Sequence, residues 1–172
     1  MLREGLLSDL DLADTIIKLA HSDFINRDDV RRDLVALASH PACDVRSEAM
    51  GALAYHGVTF AWNVEPGRQL LATLLRAVGS DADGECRRTA AGSLGSLFRM
   101  THRRDVLEAL AAACRKPEEE PDVRAFAFCA ILDVVGKPKK DQPSPTNLRI
   151  GPQHLREVSA YLDESAGRDE GA

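Results

Sequence analysis

The sequence predicts an all-α solenoid of three stacked helix pairs, with an extra helix at each end. Two observations carry this. The first is an internal repeat: an apolar residue, an arginine, two variable residues and an alanine, with a bulky aliphatic four further on. It occurs as Val45-Arg46-x-x-Ala49 with Leu53, as Cys86-Arg87-x-x-Ala90 with Leu94, and as Val123-Arg124-x-x-Ala127 with Ile131. The arginines lie 41 and then 37 residues apart, and self-similarity at such a period marks a helical repeat array. The second is apolar spacing of three to four residues between the motifs, which is the helical period.

Taken in order, the first helix is expected over Leu10–Ala20, with Leu12, Ile16 and Leu19 on one face and Asp9 or Ser8 as its cap. The next covers 27–39, with Val30, Leu34, Leu37 and Ala38 inward. Asp28 and Asp29 sit in its first turn, where the positive helix end favours carboxylates. His40-Pro41 ends it, because a residue before proline is pushed out of the helical region. The first motif helix covers 43–56, closed by Gly57. Residues 58–66 form a loop longer than a tight turn needs, carrying Val58, Phe60 and the only tryptophan, Trp62. A helix over 68–78 follows, with Gly79 as its breaker and Asp81–Gly84 as the turn. The second motif helix spans 85–99. A helix over 102–115 and the acidic loop Glu118-Glu119-Glu120 lead to the third, over 121–135, closed by Gly136. Residues 137–150 read as a mobile connector. A last helix over 152–163 carries Leu155, Val158, Tyr161 and Leu162, and residues 165–172 are expected to fray. The whole chain, 1–172, reads as one domain. Its pairs are 27–57, 68–99 and 102–136, and the end helices cap the array.

The Val-Arg-x-x-Ala segments resemble the second helices of HEAT repeats, particularly short bacterial ones, over roughly residues 27–136. The resemblance implies a right-handed α-α superhelix whose motif helices line a concave face. It also implies that an acid six positions before the motif arginine ties neighbouring repeats together. Asp81 fits for Arg87 and Glu118 substitutes for Arg124, whereas His40 breaks the pattern before Arg46. By analogy within the family, such a solenoid acts as an adaptor or as an inhibitor, for instance an immunity protein covering a toxin. The competing class is a HEAT-like enzyme or chaperone, such as a bilin lyase or a DNA glycosylase. A self-assembling array would need uncapped apolar ends.

Composition narrows these classes. The net charge is −5. Basic against acidic residues number 8 and 11 over 1–80, 8 and 10 over 81–136, and 6 and 6 over 137–172. No third is basic overall, which argues against a nucleic-acid surface. No apolar run reaches membrane length, and no basic-then-apolar leader opens the sequence. Cys43, Cys86, Cys114 and Cys129 make no Cys-x-x-Cys and read as core thiols, which suggests a reducing, cytoplasmic setting.

Three candidate sites emerge. Placing Val45, Ala49, Ala52 and Leu53 inward and stepping 100° per residue leaves Ser47, Met50, Gly51, Ala54 and Tyr55 on the opposite face. The matching face of the second motif helix carries Arg88, Gly92, Gly95, Ser96 and Arg99. These small residues either floor a groove, with Tyr55, Arg88 and Arg99 as partner-binding anchors, or serve close helix packing. On the third motif helix the same face holds Phe126, Phe128, Cys129 and Leu132, which calls for a cover, expected from the last helix. The second candidate is the Phe60/Trp62 loop, which either binds a partner or closes the core.

Polar chemistry is the third. His21, His40, His56, His102 and His154 are scattered and make no His-x-x-x-His pair. His56 reads as a core-edge histidine. Phosphate loops, metal spacings and nucleophile elbows are absent. Glu118–Glu120, Lys137/Lys139/Lys140 and the basic corner of Arg99, His102, Arg103 and Arg104 read as solvated runs, the alternative for the corner being a hold on an acidic partner or a phosphate. The expectation is a monomeric, non-catalytic protein-binding solenoid. It is expected to use no cofactor or metal and to have no nucleic-acid or membrane partner.

Overall fold

The computed structural model describes residues 7–55 and 60–169. The expectations for His56, Gly57 and Val58 lie outside them. The described residues form eight α-helices and no strand: α1 Asp9–Ala20, α2 Asp28–Leu37, α3 Cys43–Tyr55, α4 Gly67–Ser80, α5 Gly84–Leu97, α6 Arg104–Arg115, α7 Pro121–Val134 and α8 Pro152–Asp169. The chain is an all-α solenoid. No described helix is long and apolar enough to cross a membrane.

The pairs α2/α3, α4/α5 and α6/α7 pack within themselves, and α3, α5 and α7 stack into one row. The end helices extend opposite rows. α1 lies against α3 and continues the motif row, whereas α8 lies against α6 and continues the α4–α6 row. Each is half of a further pair. Ile16, Leu34, Leu53, Leu74, Leu94, Leu110, Ile131 and Val158 run through one continuous core.

Local sequence explains most ends. The Ser8 hydroxyl accepts from the Asp11 amide and caps α1, and Asp83 caps α5 by accepting from the Glu85 amide. α7 begins at Pro121, whose missing N–H costs nothing in a first turn. It ends on Gly136 at φ 80°. There the Lys137 amide donates to the Leu132 carbonyl (2.8 Å) and the Gly136 amide to the Asp133 carbonyl (2.9 Å), the pair of hydrogen bonds of a left-handed helix terminus.

Three expectations change. Gly79 does not break α4, which runs on to Ser80; a lone glycine lowers helix stability without ending it. α8 extends to Asp169, with Ser165 buried and its hydroxyl donating to the Leu162 carbonyl (2.8 Å). The connector 137–150 is pinned rather than loose. The Asp133 carboxylate accepts from Lys139 Nζ (2.6 Å) and Gln142 Nε2 (3.0 Å), and Gln142 also donates to the Lys137 carbonyl (2.8 Å).

The motif arginines tie the repeats together in a register that differs from the expected one. Arg46 donates through Nε and Nη2 to both Asp81 carboxylate oxygens (3.0 and 2.8 Å), and through Nη1 to the carbonyls of His40 (2.8 Å) and Pro41 (2.6 Å). Arg87 donates through Nη1 to the Asp81 carbonyl (2.8 Å) and through Nε and Nη2 to Glu119 (3.0 and 2.8 Å). What the arginine takes six positions back is therefore a main-chain carbonyl, and the acid comes from the following repeat. His40 breaks nothing, since only its carbonyl is needed. Glu118 does not hold Arg124. The neighbouring Glu119 holds Arg87 instead, and it is buried at 6% exposure, so the acidic run is only partly solvated. Arg124 donates to the Cys114 carbonyl (2.9 Å).

Candidate functional site

The motif row is built by close approach. At the α3–α5 seam the Ser47 and Thr89 hydroxyls share a hydrogen bond (2.8 Å). Ser93 donates to the Met50 carbonyl (3.3 Å) and Ser96 to the Ala54 carbonyl (3.1 Å). At the α5–α7 seam a Cβ on Gly95 would stand 2.8 Å from the Ala130 Cα. Met50, Ala54 and Gly95 are buried. They serve helix packing and do not floor an open face. Three helices side by side bury both flanks of the middle one, which a single-helix projection does not show.

What stays open is narrower. A groove of about 500 Å³ crosses the row, lined among others by Tyr55, Gly92, Arg99, Phe126, Lys139 and Pro143. Tyr55 is its divider. The residue is 56% exposed, yet its hydroxyl lies 2.5 Å from where a Cβ on Gly92 would stand. Desolvation of that hydroxyl and the Asp133 carboxylate push its pKa up. On the far side of Tyr55 lies a smaller hollow of about 270 Å³ across α1, α3 and the start of α5, which includes Ile17, His21, Glu48, Gly51 and Glu85. Burial and the neighbouring Asp44 and Glu85 push the Glu48 carboxyl up. The groove is thus acidic toward α1. Toward the connector it holds Arg99, which is exposed and makes no ion pair with a described residue.

Of the five expected anchors, Tyr55, Arg88 and Arg99 share this row. Arg88 is more engaged than expected. It pairs with Glu85 one turn back and lies over the Phe126 ring at 5.3 Å. Arg103 and Arg104 are paired with Asp105 and Glu108, so the basic corner is largely neutralised.

The apolar face of α7 is covered, but not by α8 alone. Phe128 meets the His154 ring of α8 edge-on at 5.0 Å. Cys129 donates to the Pro143 carbonyl of the connector (3.5 Å). Most of α8 packs on α6 instead.

Phe60 and Trp62 are half-buried. Trp62 lies against Phe98 (4.4 Å between centroids) and Phe60 against Trp62 (5.3 Å). Phe60 also borders a hollow of about 470 Å³ with Arg31, Arg32 and Val64, where α2 and α4 begin.

Sequence reasoning did not bring out Cys43 and Cys86, whose sulfurs touch at 2.8 Å across the α3–α5 seam. The signal was available. The Ser47–Thr89 and Cys43–Cys86 contacts run at 42 and 43 residues, close to the repeat spacing. Among the described residues, no group of three metal-ligating side chains comes together.

A family profile described as HEAT repeats matches residues 31–131. No curated protein and no solved structure matches the chain significantly.

Proposed function

As a member of the HEAT-repeat family, the chain acts, we propose, as a small non-catalytic adaptor or inhibitor that binds another protein through its motif-row groove. HEAT repeats generally mediate protein–protein interaction. The observation that supports the use of this face is Tyr55, a large ring held half out of the surface between two hollows of different charge. Tyrosine and arginine carry much of the energy of protein interfaces, because each offers wide contact and hydrogen bonding at little entropic cost.

In this reading Tyr55 is the central anchor, Arg99 takes a carboxylate of the partner, and Arg88 contributes from the groove wall. A partner segment fits with basic residues toward Glu48 and acidic ones toward Arg99. Phe60, beside Arg31 and Arg32, is the alternative contact, and Trp62 holds that loop in place. An immunity-type role fits the same geometry.

The test is capture of partners from the native host with the parent chain, followed by titration of Tyr55→Ala with Arg99→Glu. Both side chains are exposed, so circular dichroism should be unchanged while affinity falls at least ~10-fold, as for loss of a hot spot. Unchanged affinity in the folded double variant rejects the groove and moves the reading to Phe60.

A further inference from the structure

We propose that Cys43 and Cys86 form a modification site: a reversible disulfide that staples the first helix pair to the second. The two sulfurs touch at 2.8 Å, and the Cys86 thiol also faces the Cys43 carbonyl at 3.4 Å. Both are free thiols. A disulfide bond is ~2.0 Å long, so closure needs sulfur movement of under ~1 Å. The two residues belong to different helices, α3 and α5, and no disulfide joins the described residues of these repeats.

Access is asymmetric. Cys86 is fully buried, whereas Cys43 is partly exposed at the start of α3. Cys43 is therefore the sulfur that an outside reagent reaches first. Burial, Cys86 and Asp83 push the Cys43 thiol well above its ordinary range, so thiolate is scarce and exchange is slow. The co-reactant is a small-molecule disulfide. The Cys43 thiolate attacks one sulfur of it, breaking that S–S bond and releasing one thiolate, which takes up the Cys43 proton. The Cys86 thiol then loses its proton and attacks the Cys43 sulfur, displacing the second small thiol. One disulfide is made and one is consumed, with two small thiols released.

The staple sits beside the Arg46–Asp81 bridge, at the end of the seam that continues through Ser47–Thr89 toward Tyr55. It would fix the α3–α5 angle and with it the width of the groove.

The experiment incubates the full chain with oxidised glutathione to equilibrium, then measures intact mass, maps linked peptides and records thermal melting. The expected result is a mass lower by two hydrogens, a peptide pair joining Cys43 to Cys86, and a melting temperature raised by roughly 5 °C or more, as for a linkage closing a loop of this size. Cys43→Ala should abolish the link, while Cys129→Ala keeps it. Peptide mapping of the unaltered chain gives a readout that needs no variant. A persistent glutathione adduct on Cys43, a link to Cys114 or Cys129, or an unchanged mass overturns the proposal.

Discussion

At the residue scale the molecule depends on how arginine is satisfied away from water. Arg87 is 13% exposed and Glu119 is 2% exposed at their side chains. A charge in such a place must keep its partners, because removing one leaves the other buried and unpaired. Arg87→Ala leaves the buried Glu119 carboxylate with only Lys116 at 3.7 Å and the Glu120 amide at 3.0 Å, and it takes the Arg87 donor from the Asp81 carbonyl. It should cost about 3–5 kcal/mol by chemical denaturation. An unchanged midpoint would show the bridge to be incidental. The same pair has a pH signature. Burial is the largest single influence and works to raise the Glu119 carboxyl, but the Arg87 hydrogen bond, the Glu120 amide and the charges of Arg87 and Lys116 together outweigh it and hold the folded-state value below the ordinary one. A depressed carboxyl contributes stability that is fully present above the unfolded value of about 4.3 and is lost as pH falls through the folded value. Melting temperature should therefore hold from neutral pH down to about 5 and drop below it, and Glu119→Gln should flatten that part of the curve.

At the scale of elements, α5 shows how one helix can serve both packing and an open groove. Gly92 and Gly95 are one turn apart, but they meet different neighbours. A methyl on Gly92 runs into the hydroxyl tip of Tyr55, a side chain able to swing outward, whereas a methyl on Gly95 runs into the backbone of Ala130. Gly92→Ala should leave stability within about 1 kcal/mol of the parent, or raise it through helix propensity, while displacing Tyr55 and weakening partner capture. Gly95→Ala should cost about 1–3 kcal/mol, because α5 and α7 must separate. Equal losses of stability in both variants would mean that Tyr55 is locked in place. These glycines also mark how far sequence reasoning reaches. The helices were legible because apolar spacing and motif recurrence are properties of single segments, and seven of the eight expected spans end within a few residues of the observed ones. The seams were not legible, because they depend on the register between helices. Counting six back from Arg124 lands on Glu118, whereas the acid that Arg87 holds from that loop is the next residue, Glu119. The same limit hid Cys43 against Cys86 and placed Met50, Ala54 and Gly95 outside when neighbouring helices bury them.

For the whole molecule the question is how a repeat array ends. Each repeat buries its apolar faces only against neighbours, so a terminal one needs a cover. Among the described residues α1 flanks the first pair in the motif row and α8 flanks the last pair in the other row, and we propose that each acts there as a cap. At the far end the labour is divided. α8 seats Val158 in the core, and Arg115 of α6 donates to Ser159 (2.8 Å). The connector covers Cys129 and walls the groove, latched by Asp133. Two truncations separate these roles. A chain ending after Asn147 keeps the latch but loses α8, exposing α6 and the edge of Phe128; it should bind apolar dyes, self-associate and melt lower, with partner binding through Tyr55 retained wherever monomer persists. A chain ending after Gly136 also loses the groove wall and uncovers Cys129 and Phe126, so dye binding should rise further and partner affinity should fall with it. Light scattering and dye fluorescence on the two chains at matched concentration decide the matter. If both stay monomeric and melt like the parent, α8 is no cap, and the face it leaves on α6 becomes a surface that a partner could occupy in its place.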